Sequence, residues 1–178
     1  MTNFEGSKKM WSKLEKAERD SWWSTFNSKF DFRPGSKGDP HPGIVEPTPS
    51  VTFNLDINMT TDDFRRHYDR LNSEVLLGFR SVFPKGVEMI ALDWQHPGYK
   101  FFPFENGNPE DVEWVVPIYP NGDYYSFFLQ DLSEGTFGHP WQRTICIFGP
   151  KLTSTLGVSL RSWLQPVRIN GKPIHDEQ

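Results

Sequence analysis

Residues 113–130 read EWVVPIYPNGDYYSFFLQ. Two apolar runs, WVVPIY and YYSFFL, flank Asn121-Gly122, and that dipeptide is the strongest short-range signal for a two-residue hairpin. The stretch predicts two antiparallel strands joined by a tight turn. Working outward, EMIALDW at 88–94 and QRTICIFG at 142–149 are runs of the same kind, short, apolar and β-branched or aromatic. SVTFNLDI at 50–57 alternates Val51, Phe53, Leu55 and Ile57 with polar residues, the pattern of a half-buried strand. These runs predict an α+β fold, a single domain in which an antiparallel sheet of about five strands packs against helices on one face.

The helices carry a different period. Phe64, Tyr68, Leu71, Val75, Phe79 and Phe83 predict a long helix over 61–83, capped by Thr60 with Asp63 and stopped by Pro84 and Gly86. Trp11, Leu14, Trp22, Phe26 and Phe30 predict an amphipathic helix within 8–30. Gly149-Pro150 opens a last helix over 150–164 with Leu152, Leu156, Leu160, Trp163 and Leu164 as its buried stripe. Residues 33–50 hold five prolines and three glycines, which excludes helix and central strand and predicts an extended arm. The expected organisation is an aromatic amphipathic helix within 1–32, the arm at 33–50, an α+β body at 51–166 and a tail at 167–178.

A chain of 178 residues with 36% hydrophobic content is long enough for one core without disulfide or metal staples. Cys146 is the single cysteine, placed inside an apolar strand, so an inert thiol in a reducing compartment is expected. The opening MTNFEGSKKMWSK has no apolar secretion core, and no run approaches the ~20 apolar residues of a membrane span. A cytoplasmic location is expected, and the Asn58-Met59-Thr60 sequon then has no consequence. Aromatic residues make up 15% of the chain, with 7 Trp and 15 Phe. They serve a core and an interface equally well.

The net charge of -4 is unevenly spread. Between Lys100 and Arg143 there is no lysine or arginine, while Glu105, Glu110, Asp111, Glu113, Asp123, Asp131 and Glu134 all fall there. If the predicted hairpins gather these acids, they form a surface that steers cationic partners and repels nucleic-acid phosphate. Trp114, Tyr119, Tyr124 and Tyr125 would be its aromatic anchors. A solvated face that only maintains solubility and a divalent-cation site are the alternatives.

Histidine supplies the one constellation capable of chemistry. Asp93, His96, Asp123 and His139 are the right types for general acid/base work or metal binding. Their spacing matches no zinc signature, and neither a phosphate loop nor a nucleophile elbow is present. His96-Pro97 and His139-Pro140 read more simply as strand ends beside Trp94, Tyr99 and Trp141, because proline holds the preceding residue extended. His67, among Arg66, Asp69 and Arg70, is expected at the surface.

ALDWQHPGYKFFPF, PIYPNGDYYSFFLQD and GHPWQRTICIFG resemble the bacterial family labelled domain of unknown function 2716, and WSTFNSKFDFRP is similar to its opening. The resemblance spans roughly residues 20–164 and implies a bacterial, compact, cytosolic domain with no assigned catalytic residues. In character such acidic, aromatic-rich domains are similar to immunity proteins of polymorphic toxin systems. The leading expectation is a cytosolic binding protein without cofactor or metal, an immunity protein or antitoxin that neutralises a basic toxin domain. It would bind neither nucleic acid nor membrane. The alternative is a small hydrolase or metal-dependent enzyme using His96 and His139 with Asp93 or Asp123, and a third reading is a module that binds a small ligand.

Overall fold

The computed structural model describes residues 9–56 and 60–175, so Asn58 of the sequon and Ile57 lie outside the described residues. The first elements are β1 (Trp11–Lys13), α1 (Lys16–Phe30), β2 (Ser50–Asn54), α2 (Thr61–Val82), β3 (Met89–Asp93) and β4 (Tyr99–Phe101). After a 3-10 turn at Pro109–Asp111 come β5 (Tyr125–Leu129), β6 (Gly135–His139), β7 (Thr144–Phe148), α3 (Pro150–Ser154), α4 (Leu156–Leu160), β8 (Gln165–Ile169) and β9 (Lys172–Pro173). The nine strands of the described residues join one antiparallel sheet in the order β1-β4-β3-β5-β6-β7-β2-β8-β9.

Side-chain alternation divides the core between the two faces of this sheet. Met89, Ala91, Phe127, Ile145 and Ile147 point to the side covered by α2, α3 and α4. Their neighbours Ile90, Leu92, Phe128, Cys146 and Phe148 point to the other side, where Phe26 and Phe30 of α1 and Ile44 of the arm close over them. The period-2 rule therefore holds, but with both faces apolar and buried. Helices were expected on one face only, and about five strands were expected where nine form.

The long helix forms as its sequence dictates. Thr60 accepts from the Asp63 amide and the Asp63 carboxylate accepts from the Thr60 amide, a complete capping box. The helical period that included Trp11 and Leu14 breaks at Glu15, and the preceding residues pair with β4 instead. The Trp11 ring lies 4.6 Å from that of Phe101, tilted by 38°, and its indole N–H donates to the Glu113 carbonyl, tying β1 to the acidic loop. The helix expected over 150–164 is two short ones. The hydroxyls of Ser154 and Thr155 both donate to the Lys151 carbonyl, competing with the helix ladder at the break.

The central hairpin of the sequence reading does not form. Residues 114–120 make no strand, and β5 pairs with β3 and β6. Pro117 and Pro120 remove two amides, and Asn72 of α2 captures the two at Ile118 and Tyr119, at 2.9 and 3.0 Å. A second Asn-Gly pair makes a hairpin instead. Asn170 and Gly171, at φ 52° and 75°, turn β8 into β9, so 167–173 is sheet edge and not a tail. The proline-rich arm is ordered against the α1 side: Arg33 donates to Gly43, Val45 to Phe30, and Gly35 to the Tyr124 hydroxyl.

Candidate functional site

Among the described residues, polar chemistry meets access at a carboxylate–imidazole cluster and at a groove along α2. The first follows from strand register. Asp93, the last residue of β3, pairs with Tyr125, the first of β5, and the Trp94 amide extends this ladder to the Tyr124 carbonyl. Asp123, two residues before β5, therefore lies beside the turn that leaves β3. That turn, 94–98, carries His96 back over both carboxylates.

His96 Nδ1 donates to Asp93 Oδ1 at 2.9 Å and stands 3.5 Å from Asp123 Oδ2. The three candidate ligand atoms lie within 4.8 Å of one another. The carboxylates are sunk, with side chains 10% and 8% exposed, while His96 is 63% exposed. Burial, helped by the neighbouring Asp123, pushes the Asp93 carboxyl up, against the hydrogen bond from His96. That same hydrogen bond pushes the His96 imidazole up. Two adjacent carboxylates under one imidazole can share a proton, transfer it to a bound molecule, or hold a cation.

His139 is not a member of this cluster. It sits buried on β6, where Nδ1 accepts from the Gln142 amide and Nε2 donates to the His41 carbonyl, fixing one neutral tautomer. Burial lowers its pKa to about 4. It fastens the arm to the sheet, so the expected four-residue constellation reduces to three.

The second place is a groove of about 950 Å³ along the outer side of α2. One wall is the segment 109–114, with Glu110, Val112 and Trp114, and the other side is lined by Leu156 and Ser159. Arg80 of α2 anchors the loop that leads into that wall. Its guanidinium donates to the carbonyls of Pro103, Asn106 and Gly107, at 2.6, 2.7 and 3.2 Å. Glu74 ties the other side, accepting from Ser159 Oγ and the Trp163 indole. Neither Arg80 nor Glu74 has a local sequence signal, because each acts through residues far along the chain.

The expected acidic surface separates into parts. Glu110, Asp111 and Glu113 are exposed and Glu105 is half-buried, and among the described residues their carboxylates have no ion-pair or hydrogen-bond partner. Asp131 is exposed at the opposite end of β5 from Asp123, where it accepts from the Ser133 amide and hydroxyl. Glu134 is buried, accepting the Lys151 and Leu152 amides at the start of α3. Tyr119, Tyr124 and Tyr125 are buried in the core, and only Trp114 of the four expected anchors is half-exposed. The solvent side expected for the helix over 61–83 includes Asp69 and Arg70, and these line the groove. His67 is half-buried, stacked on Trp163 at 5.5 Å.

These features define a mixed helix-and-strand domain on one antiparallel sheet, with a carboxylate–imidazole centre at one strand end and an acid-rimmed groove. The chain belongs to the family described as Protein of unknown function (DUF2716), which it matches over residues 13–153. It is similar to the uncharacterized protein YxiI of Bacillus subtilis (strain 168), with 36% identity over 152 residues, 82% of this chain and 91% of that protein. No solved structure matches the chain. The family span holds the carboxylate–imidazole centre and the α2 and 109–114 sides of the groove; Leu156 and Ser159 of the groove, with β8 and β9, lie beyond it. Among the described residues, no helix is long and apolar enough to cross a membrane.

Proposed function

We propose that this protein is a cytosolic binding protein, an immunity protein or antitoxin that neutralises a basic toxin domain. One observation carries the reading: Glu105, Glu110, Asp111 and Glu113 stand unpaired on the segment 105–113, whose start Arg80 anchors through the carbonyls of Pro103, Asn106 and Gly107, with no lysine or arginine between Lys100 and Arg143. Unpaired carboxylates on a fixed loop raise the local potential and accelerate encounter with a cationic partner. Trp114 beside them supplies an aromatic contact.

The test is affinity capture of the tagged protein from its host at low and high salt, followed by association kinetics with the partner retained. Reversing Glu110, Asp111 and Glu113 to lysine is expected to slow association about tenfold or more at low salt. The stability change should stay within about 0.5 kcal/mol per exposed site. Equal association rates at low salt would remove the steering role of this segment. Retention of no basic partner under either condition would overturn the binding reading itself.

The convergence of Asp93, His96 and Asp123 favours a second reading, a metal-dependent hydrolase in which the three side chains bind a divalent cation. Calorimetric titration of chelator-treated protein with zinc or manganese would then give one site. Asp93→Asn with Asp123→Asn should abolish it. Titration without binding would leave the centre as a proton-sharing carboxylate pair.

A further inference from the structure

We propose that the α2 groove is a docking site for a basic amphipathic helix of the protein partner; this deepens the binding reading above and rests on it. The groove runs along α2 from Asp69 to Ser81. At the helical rise that is about 18 Å, or three turns. Its floor presents Leu77, a large apolar side chain of α2 that is 53% exposed while Leu71, Val75, Leu76 and Phe79 are buried, with Trp114 and Val112 on the wall opposite. A leucine left in water on a concave surface is covered most favourably by another apolar side chain.

Charge selects the occupant. Asp69 and Glu110 lie on the rims, and neither carboxylate has a partner among the described residues. Among the described residues, the one cation lining the groove, Arg70, is already engaged: its guanidinium lies 4.3 Å over the Trp163 ring and 3.6 Å from Glu74. The rims are therefore negative around an apolar floor. A helix whose apolar stripe recurs every three or four residues, flanked by lysine or arginine, would satisfy floor and rims together. An acidic helix would meet repulsion at both rims, and a uniformly charged segment would leave Leu77 uncovered.

The full chain would be titrated at low salt with two labelled peptides, a leucine/lysine amphipathic peptide of about four helical turns and an oligolysine of equal charge. Fluorescence anisotropy is the readout. The amphipathic peptide is expected to bind at least about tenfold more tightly than oligolysine. Leu77→Asp should weaken it by a similar factor, although the substitution adds an attractive charge, and should leave oligolysine binding unchanged or tighter. Leu77→Ala, which alters no charge, should weaken the amphipathic peptide by about threefold or more. Unchanged thermal melts establish that both variants fold. Equal affinity for the two peptides, with Leu77→Asp binding as tightly as the parent protein, would overturn the groove while leaving the acidic face as a diffuse electrostatic surface. Binding of neither peptide would overturn the groove and the basic-partner reading together.

Discussion

Replacing Arg168 by alanine is expected to destabilise the protein by about 3–5 kcal/mol, the cost of stranding a buried charge. Arg168 lies on β8, and its Nε and Nη2 both donate to Glu46 Oε1, at 2.9 and 2.8 Å. Thr52 donates to the same oxygen at 2.8 Å. The Glu46 side chain is 1% exposed and that of Arg168 15%. Without the guanidinium, Glu46 is left ionised in a site that water does not reach, or takes up a proton and loses its charge. Urea denaturation of Arg168→Ala, Glu46→Gln and the double variant would measure this. The double variant should be closer to the parent than Arg168→Ala is, because the isolated charge is gone. A loss below about 1 kcal/mol in Arg168→Ala would show that the pair behaves as an ordinary surface salt bridge.

Asn72→Ala is expected to cost about 2–6 kcal/mol, since it strands two backbone donors at roughly 1–3 kcal/mol each. Asn72 is fully buried on α2, and its Oδ1 accepts the amides of Ile118 and Tyr119. Those residues form no strand, so no neighbouring carbonyl replaces the lost acceptor. Ile118 and Tyr119 pack into the core on the α2 side, and losing the bond also loosens that packing. Equilibrium unfolding gives the size of the effect. Amide exchange at 118 and 119, faster in the variant than elsewhere in the core, locates it. Protection at both amides equal to that of the parent protein would show that another acceptor has taken over.

The residues that were legible are those whose signal is local. Thr60 and Asp63 announce the start of α2 because the capping box needs only four consecutive residues. β3, β5 and β7 each run five residues, long enough for apolar content to speak. β1 and β9, with three and two residues, carry no period, and their pairing is decided by distant partners. Asn121-Gly122 and Asn170-Gly171 are the same dipeptide, yet only the second lies between segments whose amides are free to pair.

The candidate site was legible in residue type and not in burial. Asp93 and His96 are three residues apart and meet, whereas His139 belongs to a different environment that no letter near it discloses. Glu113 and Glu134 look alike as acids near strand ends. One is exposed, and the other holds the first amides of a helix that begins sixteen residues later at Pro150.

The position of β2 has a consequence for synthesis. This strand is synthesised well before both of its neighbours, β7 and β8. Translation at ~5–20 residues per second separates Asn54 from its partner Thr144 by several seconds. During that interval Val51 and Phe53 have no sheet to join, and the nascent chain must keep an apolar strand apart from other chains in the cell.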